Sequence, residues 1–94
     1  VLDTGLLRIN RVMIPLYGVK GEHGQYVTNL ETYIRDREVS CSRQNEESFK
    51  CTLGEADLSE TVILNGAGSA LPGASENLQA AEQKARQNKV GIWE

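Results

Sequence analysis

The sequence predicts a small α+β domain, and three observations carry that expectation. A short apolar run near the amino end is followed by one that alternates with a period of two, later segments place apolar residues at helical spacing, and 94 residues leave room for one core only. Residues 1–94 are therefore read as a single domain, in which any site must share the core that holds the fold. With 10 Lys+Arg against 13 Asp+Glu, the formal charge of -3 argues against an unselective nucleic-acid binder, because counterion release rewards a strongly basic surface. No apolar run approaches the roughly 18 residues of a membrane span, so membrane insertion is not expected. The sequence begins Val1-Leu2-Asp3 rather than with Met, as in a chain whose leader has been removed or a piece of a longer one.

Strands come first. Leu6-Leu7-Arg8-Ile9 is a short apolar run ending at Asn10-Arg11, after which Val12, Ile14 and Leu16 alternate with Met13, Pro15 and Tyr17, the pattern of a hairpin. Pro15 has no N–H for a ladder, so it is expected at a bulge or with that position facing away from a partner. Gly18, Gly21 and Gly24 then read as punctuation of a loop whose polar content is Lys20, Glu22 and His23. Tyr26, Leu30, Tyr33, Ile34 and Arg37 follow as a helical stripe, with Glu31 placed before Arg35 for an ion pair one turn on.

Glu38 to Cys41 and Phe49 to Leu53 read as two strands joined by the polar stretch from Ser42 to Ser48. If the pair folds back about Glu46, Cys41 faces Cys51 across an antiparallel ladder at an α-carbon separation of about 4.5 to 5.5 Å, within disulfide reach. The two cysteines admit a structural disulfide, two buried thiols or a redox pair, and the disulfide leads because neither lies where a helix N-terminus would depress a thiol pKa. Two thiols and a single histidine make a weak zinc set.

Asp57-Leu58-Ser59-Glu60 has the form of a capping box, Leu58, Val62 and Ile63 give the helix it opens an apolar face, and Gly66 can close that helix in the left-handed conformation. Leu71 to Ala74 reads as a loop and Ser75 as a cap. Leu78, Ala81 and Ala85 form the apolar stripe of a last helix running to about Asn88, with Val90 to Trp93 docking its end.

Taken in order, Gly5-Leu6-Leu7-Arg8-Ile9, Pro15-Leu16-Tyr17-Gly18-Val19-Lys20-Gly21-Glu22, Val39-Ser40-Cys41, Asp57-Leu58-Ser59 with Gly66 to Ala70, and Ala80-Ala81-Glu82 through Ala85-Arg86 to Gly91-Ile92-Trp93 resemble the staphylococcal-nuclease domain over nearly the whole chain. The resemblance implies a small five-stranded OB-fold barrel with three helices, here with its first strand truncated because only Val1-Leu2 precede Asp3. It also implies that Cys41 and Cys51 form the cross-strand pair of exported bacterial relatives, and hence a periplasmic or secreted setting.

Active members of that family hydrolyse phosphodiesters with calcium. Two aspartates and a backbone group hold the ion, two arginines neutralise phosphoryl charge, and a glutamate handles the attacking water. On this sequence the second metal-binding aspartate falls on Gly5, unless a bulge brings Asp3 into its place. The first arginine falls on Pro15 and another metal carboxylate on Lys20, where a cation would repel calcium. The catalytic glutamate falls on His23, or on Glu22 if one residue is deleted, and the second arginine falls near Glu46. The resemblance therefore implies a nuclease scaffold whose site has degenerated into a binding or structural module without a cofactor. Its partner would be a protein or polymer, and a barrel edge left open would invite strand addition. Some exported relatives carry labels linking them to succinoglycan or other exopolysaccharide biosynthesis. The alternatives are a calcium-dependent nuclease rearranged around Asp3, Glu22 and His23, and a single-strand nucleic-acid binder.

Plain readings stand beside the sharper ones. Glu22 and His23 read first as solvated loop residues, since adjacent side chains rarely converge on one atom. Arg8, Arg11, Lys20, Arg35, Arg37 and Lys50, spread over several elements, read as ordinary surface before they read as a phosphate-tracking strip with Tyr17 or Phe49 for stacking. Trp93 reads as an anchor for the last helix.

Overall fold

The computed structural model describes residues 4–9, 12–35 and 37–94, with backbone alone at 8, 9 and 12. The amino-terminal hairpin forms as its alternation predicts. Strand β1 (Leu6–Ile9) pairs antiparallel with β2 (Val12–Pro15), and the register sets Leu7 opposite Ile14, both buried, while Met13 points outward. Pro15 is the last residue of its strand, where its missing N–H costs the ladder nothing further, and the next N–H, that of Leu16, donates to the Gly5 carbonyl at 2.8 Å.

The glycine-punctuated stretch is not all loop. Val19–Gly21 forms strand β3, which pairs with β7 (Gly68–Ala70) far along the chain; Val19 faces Ala70 and Lys20 faces Ser69. Three residues are too few for alternation to show, and the partner that makes them a strand lies beyond any local window. Helix α1 (Gln25–Ile34) follows, capped by Gly24 without a side-chain bond, and ends at Arg35, two residues before the predicted stripe does. Leu30 is its one fully buried residue.

Strands β4 (Val39–Arg43) and β5 (Phe49–Leu53) are antiparallel with Cys41 opposite Cys51, and β5 also pairs with the short β6 (Ala56–Asp57). The cysteines form a disulfide, with α carbons 4.0 Å apart. Between the strands the Asn45 side chain accepts from the backbone N–H groups of Glu47 and Ser48, each at 2.8 Å, an Asx-type turn that fixes the reversal at Glu46. Helix α2 (Leu58–Leu64) starts at Asp57, whose carboxylate accepts from the Ser59 N–H at 3.0 Å. The cap therefore serves the second helical position rather than the third, as a capping box would. Helix α3 (Glu76–Asn88) is capped by Ser75 and buries Leu78, Ala81 and Ala85 as its stripe requires; a 3-10 turn (Gly91–Trp93) closes the described chain.

The result is a small α+β domain with three helices. Among the described residues its strands form three separate ladders, β1-β2, β3-β7 and β4-β5-β6, none closed into a barrel. A parallel bridge between Leu16 and Phe49, and the Leu71 N–H donating to the Gly18 carbonyl at 2.8 Å, join the ladders at single points. Leu7, Leu58, Ile63 and Leu78, each almost wholly buried, form the centre on which the ladders and α2 and α3 converge.

Candidate functional site

The strand end at Pro15 and the turn between β4 and β5 meet across a cleft of about 360 Å³. Gly5, Pro15 and Tyr17 form one side, Asn45, Glu47 and Ser48 a second, and the loop Leu71–Ala74 a third. The tertiary structure thus brings Gly5 and Pro15, two of the residues singled out from sequence, beside the turn that carries a third, Glu46. Glu47 is the one charged residue in this lining, and no Lys or Arg shares it. A lone carboxylate raises the potential energy of any phosphodiester placed there.

The other candidates are held elsewhere. Lys20 is exposed on β3 and does not line the cleft. Glu46 is exposed at the turn, and its carbonyl accepts from the Arg43 guanidinium at 3.0 Å, while that guanidinium also lies over the Phe49 ring at 4.8 Å. His23 is exposed and Glu22 half-buried. Asp3 and Arg11 lie outside the described residues, as does the side chain of Arg8. Of the remaining cations, Lys20, Arg35, Arg37 and Lys50 are all exposed, and Arg37 lies 5.2 Å from the centre of the Tyr33 ring. Among the described residues no group of three or more His, Cys, Asp or Glu side chains is placed to hold a metal ion. Calcium asks for six to eight oxygen ligands, and Gly5 and Lys20, where the resemblance would place two of them, offer no side-chain oxygen, so these residues do not fit it.

Sequence reading missed the polar residues that shape this region. Thr4 is wholly buried and ties three segments together. Its N–H donates to the Glu22 carbonyl at 3.0 Å, its hydroxyl accepts from the Glu22 N–H at 2.7 Å, and the same hydroxyl donates to the Ala67 carbonyl at 2.6 Å. Glu22 is therefore fixed through its backbone, whatever its carboxylate does. Glu82 is also buried: one carboxylate oxygen accepts from the Ala70 N–H at 3.0 Å, satisfying the end of β7, and the other meets Arg86 at 3.2 Å. Arg86 in turn lies over the Trp93 ring at 4.2 Å. The Ala-Glu, Ala-Arg and Gly-Ile-Trp signature near the carboxyl end thus has a structural reason: it fastens α3 to β7 and to the closing turn. Its spacing, Glu82 four residues before Arg86, was the available signal.

No protein-family model matches the chain, and a search of curated proteins finds no similar sequence.

Proposed function

We propose that this chain is a catalytically inert domain of the staphylococcal-nuclease type, an OB-fold barrel retained as a binding or structural module in an exported or envelope-associated protein. The observation that carries the reading is the charge at the cleft between Pro15 and the β4–β5 turn, where Glu47 stands alone. Phosphodiester hydrolysis draws most of its acceleration from cations aimed at the phosphoryl oxygens, and Pro15 stands where the family's first arginine belongs. The Cys41–Cys51 disulfide supports the exported setting, since oxidising compartments preserve such bonds and the cytosol reduces them. Among the described residues no helix is long and apolar enough to cross a membrane. Strand β1 pairs with β2 alone among the described strands, which supports strand addition from a protein partner at its other edge.

The test is hydrolysis of single- and double-stranded DNA and of RNA by the folded, oxidised chain, with calcium and with chelator. The expected result is the same background release of acid-soluble nucleotide in both. Release that calcium stimulates and Glu22→Ala abolishes would replace this reading with a rearranged nuclease.

A further inference from the structure

A second and larger cleft, of about 520 Å³, opens between α1 and α2 and shares no lining residue with the cleft at Pro15. Its volume lies in the range of small-ligand sites. The sequence explains why it is open. Gln25, Asn29 and Tyr33 recur at intervals of four along α1 and so fall on one side of the helix, facing Thr61 on α2 and Asn65, the residue that caps its carboxyl end. Two helices close on each other when that side is apolar; here amides occupy it, and only Leu30 and Val62 are buried beneath as a floor.

From these residues the geometry points to a binding site for a neutral, hydroxyl-rich ligand, a short saccharide. The inference rests on reading the chain as a binding module, and it assigns that module a site and a ligand chemistry. The side-chain amides of Gln25 and Asn29 are exposed and make no hydrogen bond among the described residues, and the Asn65 amide donates to the Thr61 carbonyl at 2.7 Å, leaving its oxygen to accept. An amide offers a donor and an acceptor side by side, which matches a sugar hydroxyl that does both. Tyr26 adds a half-buried aromatic surface for the apolar face of a sugar ring, while Arg37 is already engaged over Tyr33. Charge narrows the class further. The lining contains no Lys or Arg, and its one carboxylate side chain is that of Glu94, so an anionic polymer would find repulsion without a partner. A purely apolar ligand would strip water from the amides and return no hydrogen bond.

The experiment is a titration of the isotope-labelled, oxidised chain, followed by backbone amide resonances. The probes are short neutral oligosaccharides of glucose and of galactose, an acidic oligouronide, and an uncharged Gly/Ala/Ser peptide. The expected result is saturable shifts from at least one neutral oligosaccharide, confined to residues 25–33 and 61–67. Asn29→Ala and Gln25→Ala, exposed positions whose replacement leaves the fold intact, should each weaken that binding by about five- to ten-fold. The inference is overturned if no neutral oligosaccharide gives saturable shifts, if the response is undiminished in both variants, or if the oligouronide or the peptide binds more tightly. Nuclease activity in the separate assay would sink the inert reading while leaving this titration to be judged by itself.

Discussion

The junction around Thr4 and the turn at Glu46 treat polar side chains in opposite ways. At the junction the Thr4 hydroxyl is wholly buried and both accepts and donates, and nearby the Glu82 carboxylate is buried with one oxygen on a strand N–H and the other on Arg86. At the turn Glu46 and Glu47 reach into solvent, as Lys20 does on β3. The difference teaches where this fold tolerates change. A buried polar group without its partner costs about 1 to 3 kcal/mol, so the junction resists substitution, whereas an exposed charge can be exchanged at almost no cost to folding. Lys20, His23 and Glu46, singled out from the sequence, all lie in the exposed, tolerant class.

The contrast can be tested in order of expected effect. Gly66 sits at φ 68°, and a β carbon there would fall on the Val90 carbonyl, where the chain turns to bring Gly91 against it. Gly66→Ala should therefore cost about 4 kcal/mol or leave the chain unfolded, read as the urea midpoint or its absence. A midpoint close to the parent's would show that the Gly66–Gly91 approach is not fixed. Removing the disulfide by the double change Cys41→Ala, Cys51→Ala should cost about 3 kcal/mol, a fall in Tm of about 12 to 24 °C, with reductant doing the same to the parent and nothing to the variant. Thr4→Val keeps the shape and removes both hydroxyl bonds, stranding the Glu22 N–H and the Ala67 carbonyl, and should cost about 2 kcal/mol with an unchanged m-value. The smallest effects belong to Lys20→Ala and Glu46→Ala, each within about 0.5 kcal/mol of the parent. A cost near that of Thr4→Val at either one would erase the distinction between the two regions.

Much of the framework could be read from local signals. The two apolar runs located the first hairpin, whose register the structure supplied; helical spacing located α1 and α3; and the symmetry of the polar stretch about Glu46 placed Cys41 opposite Cys51. The strands β3 and β7 escaped because each has three residues and gains its meaning from the other, joined through Val19 and Ala70. Thr4 escaped for the same reason: a threonine before a glycine looks like turn chemistry until Glu22 and Ala67 arrive beside it. The cleft between α1 and α2 had no local signal, because Tyr26, Leu30 and Tyr33 of the helical stripe line it together with Gln25 and Asn29, which lie outside that stripe, and with Thr61 and Asn65 far along the chain.

By itself the sequence determined the three helices, the first hairpin and the disulfide register, since these depend on residue identity and short-range spacing. Only the tertiary structure decided which residues share a cleft and which polar groups are buried with partners. Those outcomes depend on segments far apart in the chain meeting in a low-dielectric interior, where an unpaired polar group is costly and a paired one becomes a fixed point of the fold.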